Sequence, residues 1–242
     1  MRYGLISDIH GNLEALEAVL AELKKERVNK YLCLGDIVGY GANPKECIEI
    51  VRALKPAALI AGNHEWGVLG LLELSYFNEQ AQAAIEWTGN IISGSDAEYL
   101  KTAKLFYSAG DTTLVHGSLE EPKEFFYIFD ANDTYKTFRL LKTKMCFVGH
   151  SHVPGIFYFD GHKPAKVKDV KVKIERDKQY VVNIGSVGQP RDGDPRAAFA
   201  IYDEGDSTVE IKRVSYDIEA AQRKIVAAGL PANLASRLAE GH

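Results

Sequence analysis

Five short apolar runs in this 242-residue chain stop at the same kind of residue: a carboxylate, an amide or an imidazole. The run at 3–6 ends at Ser7-Asp8-Ile9-His10-Gly11, that at 31–34 at Gly35-Asp36, and that at 57–61 at Gly62-Asn63-His64-Glu65. The runs at 113–115 and 146–148 end at His116-Gly117 and Gly149-His150-Ser151-His152. Such short runs read as strands, and helical patterns separate the first three. Asn12 caps a helix that carries Leu13, Leu16, Leu20 and Leu23 on one face, with Lys24 and Lys25 at its end. Pro44 opens a second helix through Leu54, and Pro56 helps close it. Strand–helix alternation of this kind implies parallel strands joined by crossover helices.

Further along, Asn78 reads as the cap of a helix through Ile85 and Trp87, and Ser95 with Glu98 as a capping box for a shorter one. Residues 120–142 read as an aromatic-rich excursion followed by a helix, a candidate cap or lid. Runs at 156–159, 167–174, 180–184, 197–202 and 209–214 are expected to be antiparallel strands. The tail at 218–238 is helical, broken near Gly229-Leu230-Pro231. With no repeat and no long linker, residues 1–242 are expected to form a single mixed α/β domain.

In open α/β sheets, functional groups gather beyond the carboxyl ends of the strands. Of the seven histidines, only His162 and His242 lie away from these strand ends. Carboxylate, imidazole and amide donors without a thiolate suit manganese, iron or zinc. Alternate residues of an extended segment face alike, so Asp8 with His10, and His150 with His152, are expected to reach into one cavity.

Composition removes several alternatives. A net charge of -4 gives no sign of a basic groove, so nucleic acid is not the expected partner. Cys33, Cys47 and Cys146 are few and widely spaced, so neither a disulfide framework nor a thiolate metal site is expected. No stretch reaches the ~20 apolar residues of a membrane span, and the N-terminus has no signal-peptide pattern. A cytoplasmic protein without membrane association is the expectation, and the oligomeric state is left open.

Asp8-x-His10, Gly35-Asp36, Gly62-Asn63-His64-Glu65, His116-Gly117 and Gly149-His150-x-His152 resemble the five ordered motifs of the calcineurin-like metallophosphoesterases. Asn183-Ile184-Gly185-Ser186-Val187-Gly188-Gln189-Pro190-Arg191 also looks like the small prokaryotic phosphodiesterase branch. The resemblance implies a four-layer αββα sandwich of two mixed β-sheets flanked by helices. It implies two divalent ions, manganese foremost and iron or zinc otherwise. Asp8, His10, Asp36 and His152 would hold the first, and Asp36, Asn63, His116 and His150 the second. It also implies in-line attack of a metal-bridging hydroxide on small nucleotide-like phosphate mono- or diesters or phosphoanhydrides, dinucleoside polyphosphates among them. His64 would protonate the departing alkoxide.

The protein phosphatases of the superfamily carry an aspartate and an arginine where this chain has Gly39 and Tyr40. Neither an orienting partner for His64 nor an arginine for phosphate is therefore offered there. Arg191 is a candidate phosphate contact, but it and Arg196 could equally pair with Asp192 or Asp194. Phe125, Phe126, Tyr127 and Phe129 could stack a nucleobase, although core or cap packing is the commoner use of such a cluster. The alternatives to an esterase of small molecules are a nuclease, a non-catalytic scaffold that keeps the fold, and a metal sensor.

Overall fold

The computed structural model describes all residues from Met1 to His242. In chain order its first half runs β1 (Arg2–Ile6), α1 (Leu13–Lys25), β2 (Lys30–Cys33), α2 (Pro44–Leu54), β3 (Ala58–Leu59), α3 (Asn63–Val68), α4 (Glu79–Ile91), α5 (Gly94–Leu100), β4 (Phe106–Ala109) and β5 (Thr112–Val115). The second half runs α6 (Thr134–Leu140), β6 (Met145–Val148), β7 (Gly155–Phe159), β8 (Pro164–Lys166), β9 (Lys171–Lys173), β10 (Gln179–Asn183), β11 (Ala197–Asp203), β12 (Thr208–Val214), α7 (Ile218–Ala227) and α8 (Ala232–Glu240).

The strands form two six-stranded sheets, ordered β3-β2-β1-β11-β12-β9 and β4-β5-β6-β10-β7-β8. Both are mixed. In the first, β1, β2 and β3 are mutually parallel, while β11 is antiparallel to both of its neighbours, β1 and β12. In the second, β6 lies parallel to both β5 and β10.

Period-two alternation along the strands builds the layers. Leu5, Leu32 and Leu34 from the first sheet meet Met145, Phe147, Tyr180 and Val182 from the second in one buried cluster between the sheets. Their chain neighbours Ile6 and Cys33 face the other way, onto Leu16, Val19, Leu23, Cys47, Ile48 and Val51 of α1 and α2. On the far side, Cys146, Val148 and Val181 pack beneath Phe138 of α6 and the following Leu141. The result is helix, sheet, sheet, helix, the four layers expected. All three cysteines are free and buried, and no helix is long and apolar enough to cross a membrane.

The predicted helices at 44–54 and after Asn12 and Asn78 form as expected, with both asparagine side chains accepting a bond from the third helical amide. Three details differ. The capping box before α5 is Ser93 with Asp96, two residues earlier than Ser95 with Glu98. Arg52 secures the shorter acid, its Nη2 lying 3.0 Å from Asp96 Oδ1. The run at 167–174 is strand only at β9, which belongs to the first sheet; Val167 follows the end of β8, which belongs to the second. Its apolar residues change phase between Val167 and Val170, where the chain bends from one sheet to the other. Finally, β10 is antiparallel only to β7; its other neighbour, β6, runs parallel to it.

Phe147 is fully buried between the sheets and meets the Tyr202 ring at 5.8 Å between centroids. Phe147→Ala is expected to cost about 3–5 kcal/mol, read as a lower urea midpoint at unchanged m-value. A loss below about 1 kcal/mol would mean that the sheets do not depend on this contact.

Candidate metal centre

The carboxyl ends of β1, β2 and β3 face those of β5 and β6, so five loops from two sheets empty into one place. Asp8, His10, Asp36, His116, His150 and His152 are all buried there. Three trios place their ligand atoms within 4.8 Å of one another: Asp8, His10 and His152; Asp36, His116 and His150; His10, Asp36 and His64. Asp36 stands in two of them. His152 Nε2 lies 3.2 Å from Asp8 Oδ1, and His116 Nε2 lies 3.2 Å from Asp36 Oδ2. The Asn63 side-chain oxygen is buried without a partner.

The expected extended geometry of the paired motifs is absent. Asp8, His10, Asp36, His150 and His152 all have positive φ, between 50° and 67°. This is left-handed backbone, which Asp and His tolerate better than most residues. The side chains converge because tight turns aim them, not because of strand alternation. Neighbouring backbone has to come very close: a Cβ on Gly149 would lie 2.4 Å from Asp8 Oδ2.

The tautomers are set from outside. His10 Nδ1 bonds the Val38 carbonyl at 3.0 Å, His116 Nδ1 that of Leu34 at 2.7 Å, and His152 Nδ1 that of Gln189 at 2.5 Å. Each Nδ1 therefore carries a hydrogen, and Nε2 faces the cluster, with a free lone pair wherever the ring is neutral. His10 Nε2 and His152 Nε2 stand only 3.1 Å apart. Two lone pairs at that distance repel unless a cation or a proton lies between them. Together with the orphaned Asn63 oxygen, this donor set fits divalent metal.

Burial holds the imidazoles of His10 and His150 well below the usual range, and that of His152 below it. Burial also disfavours the charged form of His116, but Asp36 and Asp8 outweigh it and bring that group up to about 10. For Asp8, burial is outweighed by His152 and His116, and for Asp36 by His116 and His64, so both carboxyls are lowered.

His64 lies at the cavity edge, buried, with its backbone N–H donated to Asp36 Oδ1 at 2.9 Å. Its Nδ1 has no partner. A Cβ on Gly39 would lie 2.2 Å from that nitrogen, so the glycine leaves room for the ring and no side chain can bond it from there. Rings surround it instead: Tyr40 at 4.5 Å, His10 at 4.7 Å and Phe77 at 5.4 Å between centroids. Burial pushes this imidazole down to about 4, against the opposing pull of Asp36.

Arg191 lines the same cavity, held by Gln189 Oε1 at 2.8 Å and lying 5.6 Å from the Tyr40 ring centroid. Arg196 does not reach it, being paired with Asp194 on the surface. The 120–142 stretch divides in two. Phe138 of α6 anchors its end on the second sheet, while Phe125, Phe126 and Tyr127 line the cavity. Core packing thus describes Phe125, whereas Phe126, Tyr127 and Phe129 are exposed.

Several supporting residues carry no role in the sequence reading. The buried Glu65 carboxylate accepts from the amides of Asp36 (2.7 Å), Ile37 (2.6 Å), Val38 (3.4 Å) and Gly62 (2.8 Å), tying two ligand loops together. The signal was present, since Glu65 is the third residue of α3 after Gly62, a capping position. Asn183 Nδ2 donates to the Gly149 carbonyl at 3.0 Å and to Ser151 Oγ at 2.7 Å, and Ser186 Oγ donates to the Asp8 carbonyl at 2.8 Å. No periodicity rule points to these contacts across long sequence separations.

The model of the calcineurin-like phosphoesterase superfamily domain matches residues 1–207. The chain belongs to this superfamily. An uncharacterized protein of Methanocaldococcus jannaschii is 41% identical over 240 residues, covering 97% of this chain and 96% of the relative. The crystal structure of a metallophosphoesterase from Sphaerobacter thermophilus superposes with a TM-score of 0.86 at 40% identity, covering 100% of this chain and 99% of that one. A hypothetical protein from Pyrococcus horikoshii OT3 shares the fold, with a TM-score of 0.81 at 22% identity and coverage of 100% and 98%.

Glu65→Gln places an amide N–H₂ against a set of N–H donors. A loss of about 2–3 kcal/mol in urea unfolding of the metal-free protein is expected. A change within about 0.5 kcal/mol would show that the four bonds do not hold the loops.

Proposed function

We propose that this superfamily member is a binuclear metal-dependent phosphoesterase acting on mono- or diesters or anhydrides of small nucleotide-like substrates. The observation that carries the reading is the pair of buried Asp/His trios, both containing or adjoining Asp36, that open on a cavity shared with His64 and Arg191. Asp8, His10, Asp36 and His152 would hold one ion, and Asp36, Asn63, His116 and His150 the other, manganese foremost. Two such ions supply Lewis-acid activation of a water nucleophile and charge neutralisation of the phosphoryl group.

The chain's own part is orientation and proton handling. The Nδ1–carbonyl bonds of His10, His116 and His152 keep their rings turned so that Nε2 faces the cluster where the ions would be held. His116, whose basicity Asp36 and Asp8 raise in the metal-free site, would have to release its Nε2 proton to serve as a ligand. The Arg191 guanidinium, braced by Gln189, can pair with a phosphate oxygen. His64 stands in the cavity wall to hold a proton for the departing oxygen. The free site keeps it neutral, and an anionic phosphate opposite it works against that shift.

Manganese added to chelator-stripped protein should restore hydrolysis of p-nitrophenyl phosphate or bis-p-nitrophenyl phosphate, and Asp36→Asn should abolish it. His64→Ala should lower kcat/KM for an alkyl phosphoester by about 10²–10⁴-fold. It should change p-nitrophenyl esters far less, since their leaving group needs no proton. Equal losses for the two ester types would remove the acid role, and no turnover with any divalent metal or ester would contradict the enzymatic reading.

A further inference from the structure

The cavity beside the trios encloses about 320 Å³, the small end of the ~300–1,000 Å³ typical of ligand pockets. That is room for a ligand of mononucleotide size; the cavity is half open, and anything longer has to extend past its mouth. Its charges agree. Arg191 is the one lysine or arginine on the lining, and Glu124 adds a carboxylate to that of Asp36. A polyphosphate would find a single guanidinium for all the charge that metal does not offset.

Six of the lining residues are phenylalanine or tyrosine. Tyr40, Phe77, Phe125 and Tyr127 are each packed against another aromatic ring. Tyr76 and Phe126 are not, and they are 62% and 46% exposed. The two come from different segments. Tyr76 lies in the turn Leu74–Tyr76, and Phe126 follows the turn Pro122–Glu124. One hydrogen bond joins these turns, from the Tyr76 hydroxyl to Glu124 Oε2 at 3.0 Å. Two unpartnered rings on one cavity, carried by tethered turns, make a platform for a flat ligand, because any base or aryl group has a π-face to stack.

We propose that Tyr76 and Phe126 form a ring-binding subsite, so that the cavity takes an ester bearing one phosphate and one flat aromatic ring in preference to a polyphosphate. Nucleoside and aryl phosphoesters are the substrate class this defines. The inference deepens the phosphoesterase reading and rests on it.

Calorimetric titration of the manganese-loaded protein tests the subsite without turnover. One ligand is a nucleoside 5′-phosphonate, which carries the ring and no hydrolysable ester, and the other is methylphosphonate, the anion alone. The nucleoside phosphonate should bind about tenfold tighter or more. Phe126→Leu and Tyr76→Leu should each remove most of that advantage and leave methylphosphonate affinity unchanged. Tyr76→Phe, which keeps the ring and loses only the Glu124 bond, should retain it. Equal affinities in the wild type, no binding of either ligand, or an advantage that survives both leucine variants would overturn the subsite. A dinucleoside polyphosphate binding tighter than the nucleoside phosphonate would overturn the single-phosphate preference. Ring selectivity without turnover of any ester would fail the phosphoesterase reading alone, whereas turnover without ring selectivity would fail the subsite alone.

Discussion

Two carboxylates, Asp8 and Asp36, are buried at the meeting point of the two sheets, with imidazole nitrogens closing in on them from four loops. A buried charge without a counter-charge is among the most expensive features a fold can carry. In the metal-free protein the raised basicity of His116 answers part of it. The remaining imidazoles stay neutral and present lone pairs, and two of those nitrogens face each other at 3.1 Å. The arrangement suits a divalent cation far better than it suits protons alone.

Much of the surrounding architecture serves to keep those groups in place. Five ligand-bearing residues have left-handed backbone, a conformation that costs free energy unless neighbouring contacts compensate. The compensation is visible. The Asp8 carboxylate takes the His150 amide, Glu65 takes the amides of the Asp36 loop, and the Asp8 carbonyl receives both Ser186 Oγ and the Gly188 amide. The 183–191 segment belongs to this support. It begins at Asn183, which fixes the Gly149–Ser151 turn, and ends near Gln189, which orients His152. Because these bonds connect residues far apart in sequence, the sheets must be assembled before the site exists.

The parts of the structure that follow from local rules were legible in the sequence. Strand ends, the Asn12 and Asn78 caps, the Pro44 start and the Gly229–Pro231 break are each decided by a few adjacent residues. The convergence of the histidines was legible too, since strand-end placement in an α/β chain gathers them on one edge. Their backbone conformation was not. Alternation suggested extended pairs, whereas close approaches such as that of Gly149 to Asp8 demand tight turns. The 167–174 run was misread as one strand because apolar content continued while its phase shifted between Val167 and Val170. Glu65 and Asn183 stood in the quoted motifs without a role, because their partners lie in other loops. The aromatic residues at 125–129 divide between the buried Phe125 and the exposed Phe126, Tyr127 and Phe129, a distinction that depends on where the opposite wall stands.

His64 departs most from the pattern of the protein phosphatases. Gly39 leaves its Nδ1 without a bonding partner, and the rings of Tyr40 and Phe77 pack around the imidazole. Packing, not an ion pair, positions this ring, in keeping with a site that holds it neutral until an anion arrives. The proposed centre shares Asp36 between two ions. Anomalous scattering at the manganese edge, from crystals grown with that metal, tests this most directly. The account predicts two peaks in the cavity, one bounded by Asp8, His10 and His152 and one by Asn63, His116 and His150, with Asp36 touching both. A single peak, or none at full manganese occupancy in solution, would contradict it.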